Sequence, residues 1–292
     1  MRGHEELAER FEERRGQLRA VAYRMLGSLG EADDAVQEAW LRLSRTGDDG
    51  IDNLTAWLTT VASRVCLDML RSRASRREDP YGDDLPEPSA DELPEDEAVL
   101  ADSVGLALLV VLDTLGPAER VAFVLHDLFA VPFDSVAAVL DRSLPAAKKL
   151  ASRARHKVRG TPVVPGAGLD RHREVVEAFL SAARGGDLGA LLDVLAPDVV
   201  RYADPAVLPP GVAAELRGAR AVAEGTVLLR HRTRFATVAL VDGDVGIVVA
   251  PGGRLLLALR VRVEGGRVAA YEVVSGREGL RGVEVGVLGV VG

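Results

Sequence analysis

From Glu78 to Asp102 the sequence carries eleven acidic residues and no basic one. The stretch 78–98 (EDPYGDDLPEPSADELPEDEA) adds Pro86 and Pro88 to that charge and contains little that packs. Such a segment cannot bury enough apolar surface to offset the entropy of ordering it, and its like charges keep it extended. It therefore reads as a linker, and a chain of 292 residues interrupted in this way is expected to form two or three small domains. Outside the linker the composition is that of a folded protein, with 48% hydrophobic and 27% charged residues overall.

Several function classes are disfavoured from the start. No basic stretch leads into an apolar core with a cleavage site, and no apolar run approaches the roughly 20 residues of a membrane span, so a cytoplasmic location and no membrane partner are expected. A lone Cys66 excludes an internal disulfide or a CxxC zinc cluster, and the five histidines lack ligand spacing; neither a structural metal nor a cofactor is expected. The net charge of -8 does not argue against nucleic acid, because the signs are segregated along the chain. From Arg142 to Arg159 there are seven basic residues and no acidic one.

Residues 1–77 show apolar positions at helical spacing, broken at Gly27-Ser28 and at Gly47 to Gly50. Ser28 with Glu31 three positions on is a capping box, which starts a helix through EADDAVQEAWLRL. Ala32, Ala35, Val36, Ala39 and Leu43 then share one face, and Leu41 falls on the opposite side among Asp34, Gln37 and Glu38. On the helix alone, Leu41 reads equally as an isolated surface leucine or as part of a protein-binding face. The next segment, AWLTTVASRVCLDMLRSRASRR, aligns Leu58, Val61, Ala62, Val65 and Met69, with Arg64 and Arg71 on another face and Arg73, Arg76 and Arg77 following. A solvated basic helix end is the default reading. With Trp57 at its start, the segment also has what single-stranded DNA requires, cations for phosphates and an aromatic face for bases.

Residues 99–160 form a second helical block that ends in PFDSVAAVLDRSLPAAKKLASRARHKVRG. This is the layout of a helix-turn-helix: a short helix over about 134–140, a turn at Asp141-Arg142, and a second helix capped by Ser143 with Pro145 in its first turn. Ala147, Leu150, Ala154 and Val158 make the apolar stripe of that second helix. Lys148, Lys149, Ser152, Arg153 and His156 crowd elsewhere, flanked by Arg155 and Arg159. Uncompensated cations repel one another, and a major groove lined by phosphates supplies a reason to gather them. Beyond the break TPVVPGAG at 161–168, a helix over about 170–184 precedes FATVAL, VGIVVA, RLLLALRVRV and RVAAYEVV, which are strand-like runs separated by glycine turns. Helices first and antiparallel strands afterwards predict an α+β unit at 169–275, with 276–292 as a C-terminal tail.

In combination these segments resemble a known family. YRMLGSLGEADDAVQEAWLRL is similar to the polymerase-binding part of sigma factor region 2, and AWLTTVASRVCLDMLRSRASRR to its strand-opening part. LDTLGPAERVAFVLHDLFAVPFDSVAAVLDRSLPAAKKLASRARHKV resembles region 4, which reads the minus-35 element. With Leu85 to Pro88 (LPEP) and the third domain, the resemblance narrows to the sigma-J-like group of extracytoplasmic-function sigma factors. It implies a multidomain fold: a region 2 helical domain at 1–77, a region 4 helix-turn-helix domain at 99–160, and a SnoaL-like (NTF2-like) cone that modulates activity in cis. Such a cone could bind a small ligand in an apolar pocket or dock on the sigma domains; the short linker from Gly160 to Gly168, which keeps it near region 4, favours docking. The resemblance implies core RNA polymerase and promoter DNA as partners. Asp33, Asp34, Gln37, Glu38 and Leu41 would meet the polymerase. Trp57, Arg64, Arg71, Arg76 and Arg77 would hold the opened minus-10 strand, and Lys148, Lys149, Arg153 and Arg155 the minus-35 duplex.

The chain departs from the family pattern at Asp141, where glycine is usual in the turn, and at Asp84, where a tryptophan is expected before LPEP. RYADPAVLPPG replaces the DGGGR-type motif of the extra domain, and SGREGL its NPDKL-type motif. SnoaL-like folds also include enzymes that move a proton in the cavity. The candidates for that chemistry, Tyr202, Asp204 and His231, form no recognisable pair, and no catalytic residue is expected. The alternatives are a stand-alone helix-turn-helix regulator and a SnoaL-type enzyme with a DNA-binding appendage.

Overall fold

The computed structural model of the protein describes residues 2–48, 50–77, 105–160, 162, 167–205, 208 and 213–288. The acidic linker at 78–98 lies outside the described residues, as does most of 161–168. The described residues pack as two units, one within Met1–Glu87 and Leu112–His156, the other within Pro88–Val111 and Lys157–Gly292.

The first unit is helical. Helix α1 (Arg2–Leu26) buries Leu7, Phe11, Leu18, Val21 and Met25, and α2 (Leu29–Thr46) buries the expected stripe of Ala32, Ala35, Val36, Ala39 and Leu43. Ser28 caps α2 and accepts a hydrogen bond from the Glu31 N–H at 3.4 Å. Only half of the capping box forms, because the Glu31 carboxylate is taken by Arg73, whose Nε donates to it at 3.1 Å. Helix α3 (Leu54–Arg77) packs on α1 and α2 through Leu58, Ala62 and Val65. It also buries Ser63, Cys66, Leu67 and Leu70, since α5 (Pro117–Phe123) and α6 (Phe133–Leu140), introduced by α4 (Leu106–Thr114), pack against it as well. A π-helical turn, Val124–Leu128, continues α5. Each fully buried leucine or phenylalanine in this core contributes about 2 kcal/mol of transfer free energy.

Burial has a chemical consequence at Cys66. The side chain is inaccessible, and desolvation pushes its thiol up to about 12. The thiolate is the reactive form, so Cys66 is expected to resist a thiol reagent at about pH 8 and to react fully once the chain is unfolded in denaturant. Rapid labelling of the folded protein would contradict this packing.

The second unit is the expected α+β fold. Helix α7 (Leu144–Arg159) leads into it, and α8 (Ala167–Gly185) and α9 (Leu188–Val194) precede the strands. Strands β1 (Leu195–Ala203), β2 (Glu215–Arg217), β3 (Ala236–Val241), β4 (Asp244–Val249), β5 (Leu257–Glu264), β6 (Arg267–Ser275) and β7 (Val285–Gly286) form one sheet in the order β2-β1-β6-β5-β4-β3-β7. The pair β1 and β6 is parallel and the other pairs are antiparallel. Helix α10 (Ala219–Leu228) sits between β2 and β3 in sequence. The β3–β4 hairpin turns on Asp242-Gly243, both at positive φ, the arrangement that matches the twist of two-residue hairpins. Residues 276–292, read as a tail from sequence, supply α11 (Gly276–Arg281) and the edge strand β7, which pairs Val285 with Val241.

The sheet is buried on both faces at β4, which accounts for the unbroken apolar run VGIVVA. Val245, Ile247 and Val249 join Val176, Phe179 and Leu180 of α8 in one core. On the other face Val248 and Ala250 join Ala239, Val241 and Ala258, and Ala107 and Val110 of α4 cover them. Thus part of the block assigned to the helix-turn-helix domain, Leu106–Val111, packs with the sheet.

Candidate polymerase and nucleic-acid interface

Because the apolar stripe of α2 faces α1 and α3, its opposite face is left outward. Asp34 and Gln37 are exposed there, and Leu41 is 36% exposed. Among the described residues, Leu41 is the only large hydrophobic side chain of the first unit that stands so open. Two of its expected companions are engaged: Asp33 pairs with Arg19 at 2.8 Å, and Glu38 with Arg42 at 3.0 Å. Both pairs are half-exposed, so each contributes less than about 1 kcal/mol and can be exchanged for a partner's groups at small cost.

The strand-binding set assigned on sequence lies on α3. Asn53 caps this helix, accepting from the Ala56 N–H at 3.0 Å, and Trp57 is half-buried in its first turn. Arg64 is exposed, yet its Nη2 donates to the Ala138 carbonyl of α6 at 2.8 Å. Arg71 is exposed and lies 3.6 Å from Asp68. Arg73, given no role from sequence, is a structural residue that donates to Glu31 and, at 2.9 Å, to the Leu26 carbonyl. Arg76 and Arg77 end α3, and their side chains lie outside the described residues.

The helix-turn-helix is formed by α6 and α7. Asp141 ends α6 in the left-handed conformation at φ 52°, ψ 53°, so aspartate performs the turn that glycine makes elsewhere. Ser143 caps α7 by accepting from the Ala146 N–H at 3.4 Å. Ala147, Ala151, Ala154 and Val158 are buried, which turns Lys148, Lys149, Ser152, Arg153 and His156 to solvent. Arg155 differs from the other three cations assigned to duplex DNA. Its Nε lies 3.2 Å from Asp127, whose side chain is only 7% exposed, and so it neutralises a nearly buried carboxylate.

The three side chains weighed for proton transfer in the last domain do not come together. Tyr202 is exposed and accepts from Arg217 at 3.4 Å, Asp204 accepts from Ser275 at 2.7 Å, and His231 is exposed. None of them lines the cavity between the sheet, α8 and α10, which is lined instead by Arg201, Arg232 and Tyr271 among mostly apolar residues. Sequence reasoning missed Arg201, although its period-two spacing with the apolar Val199 and Ala203 marks it as inward-facing. No described helix is long and apolar enough to cross a membrane, and no metal-ligating group of three or more side chains occurs among the described residues.

Residues 10–76 match Sigma-70 region 2, and residues 105–158 match Sigma-70, region 4. The probable ECF RNA polymerase sigma factor SigI of Mycobacterium tuberculosis is 34% identical over 289 residues, covering 94% of this chain and 94% of its own. The ECF RNA polymerase sigma factor SigJ of the same organism is 42% identical over 277 residues, covering 89% of this chain and 88% of its own. The crystal structure of M. tuberculosis SigJ aligns at 36% identity with a TM-score of 0.46, covering 94% of this chain and 98% of that one. Two matched sigma regions in order, and full-length relatives at this identity, place the chain: it belongs to the extracytoplasmic-function RNA polymerase sigma factors.

Proposed function

We propose that this sigma factor binds core RNA polymerase through the outward face of α2, reads the minus-35 duplex with α7, and holds the unpaired minus-10 strand with α3. The observation that carries this reading is the basic face of α7, where Lys148, Lys149 and Arg153 are all exposed on a helix presented by a helix-turn-helix. Phosphates are the chemistry that such a face attracts, and base edges lie within reach of the same helix. On α2, Leu41 between exposed polar groups supplies an apolar anchor of the kind that dominates protein interfaces. Arg64 has to release the Ala138 carbonyl before it can serve a DNA strand, an exchange of one charge-assisted hydrogen bond for another. The work takes place where the polymerase is, in the cytoplasm, and involves no covalent chemistry by this chain.

The domains in this reading are region 2 at 1–77, region 4 at 99–160 and a third domain that begins at 169 and runs on through α11 and β7, with linkers at 78–98 and 161–168. Control in cis is supported by the packing of Ala107 and Val110 on the back of the sheet, because these residues belong to the stretch matched to region 4. Run-off transcription with purified core polymerase and a broad promoter library tests the whole reading. Transcripts dependent on the full chain are expected; their absence despite DNA binding would favour a stand-alone regulator. Ala107→Glu, which sets a carboxylate against the apolar sheet face, is expected to alter transcript yield with polymerase affinity unchanged. An unchanged yield would remove the sheet from promoter control.

A further inference from the structure

A cavity of the second unit has a volume of about 90 Å³, ample for a small molecule in place of water. Phe179, Ile247, Val249, Leu257 and Leu259 line it, and its wall is predominantly apolar. Arg201 also lines it and is 2% exposed. One of its nitrogens, Nη2, donates to the Ala213 carbonyl, whereas Nε and Nη1 are buried without a hydrogen-bond partner. Among the described residues, no carboxylate lines the cavity. The neighbouring Tyr271 hydroxyl is satisfied by Thr226 at 2.9 Å and so does not compete for the guanidinium.

A buried guanidinium with unmet donors carries a desolvation penalty that an apolar side chain of similar shape would avoid. Buried polar groups are satisfied in nearly all folded proteins, so two unmet nitrogens on one cation need a partner. Gly225, another lining residue, leaves no side chain beside the cation: a Cβ built there would stand 3.5 Å from Nη1 and only 2.7 Å from Leu216 Cδ1, so a larger residue would crowd this wall. The missing partner has to be an acceptor, since guanidinium donates and cannot accept; an anion would in addition offset the buried charge, and apolar surface on it would match the remaining wall.

We propose that this cavity binds a small amphiphilic carboxylate, a short-chain or single-ring organic acid, with its anionic group on Arg201 and its apolar part against Phe179, Ile247, Leu257 and Leu259. This site is independent of the polymerase and promoter contacts, so its success or failure leaves that reading untouched.

Ligand-observed NMR titration of the full chain with matched pairs, benzoate against benzyl alcohol and hexanoate against hexanol, tests the proposal. The acid of at least one pair is expected to bind more tightly than its alcohol by roughly tenfold or more, the worth of a charge-assisted hydrogen bond to a buried cation. In Arg201→Met, with folding checked by circular dichroism, that preference is expected to fall to about unity. Equal binding of acid and alcohol to the native chain would overturn the proposal, as would no binding of either acid up to about 10 mM. A preference retained in folded Arg201→Met would overturn it too. The native-chain comparison decides the matter even where the variant does not fold.

Discussion

Leu41→Glu is expected to weaken binding of core RNA polymerase by roughly 30- to 100-fold, the loss that follows removal of an interface anchor worth about 2–3 kcal/mol. The argument is local. Leu41 stands 36% exposed on the face of α2 opposite the buried stripe, so its side chain lies outside the core of the unit. A substitution there changes stability by less than about 0.5 kcal/mol, and the thermal unfolding midpoint should stay within a degree or two. Affinity measured by fluorescence anisotropy, with circular dichroism melting alongside, separates the two effects. Undiminished affinity would remove α2 from the polymerase contact, whereas a large drop in melting temperature would mean that Leu41 is a core residue after all.

The combined variant Lys148→Ala, Lys149→Ala and Arg153→Ala should weaken promoter binding by the holoenzyme by roughly 10- to 100-fold near physiological salt. More telling is the salt dependence. Each phosphate contact releases about one counterion, so loss of three makes the slope of log affinity against log salt shallower by about 3. All three side chains are exposed and none supports the α7 core of Ala147, Ala151, Ala154 and Val158, so folding should persist. Reduced discrimination between promoters with an unchanged slope would mean base-edge rather than phosphate contacts. No change in either quantity would displace α7 from DNA. Arg155 is left out of the variant because its pairing with Asp127 makes its removal a stability experiment as well.

Much of this architecture was legible before any coordinates. Ser28, Asp141 and Ser143 act through short-range chemistry, two caps and one left-handed turn, and each sits where the sequence indicated. The face on which Leu41 lies follows from helical period alone, as do the exposed cations of α7. Runs such as VGIVVA announced a strand, though not that both of its faces are covered. What periodicity cannot supply is the identity of the element that meets a given face. Glu31 was read as the second half of a capping box and instead meets Arg73, 42 residues away. Arg155 was read with its basic neighbours and instead neutralises Asp127 across the fold, and Arg64 reaches the Ala138 carbonyl.

The last domain divides in the same way. Its strands, its glycine turns and its leading helix were visible as local pattern, and residues 276–292 were not, because a two-residue edge strand has too few positions to show alternation. The inward position of Arg201 could be counted off from Val199 and Ala203, but a single arginine among apolar strand residues says nothing of whether an acid awaits it. The sequence by itself determined the two matched sigma regions, the helix faces, the caps and the segregation of charge, since all of these depend on residues within a few turns of one another. Only the tertiary structure decided which charges are already paired, which face of the sheet is covered by Ala107 and Val110, and that Arg201 is enclosed with no carboxylate beside it among the described residues. Those outcomes depend on side chains brought together from distant parts of the chain, where the low dielectric and the exclusion of water give each pairing its weight.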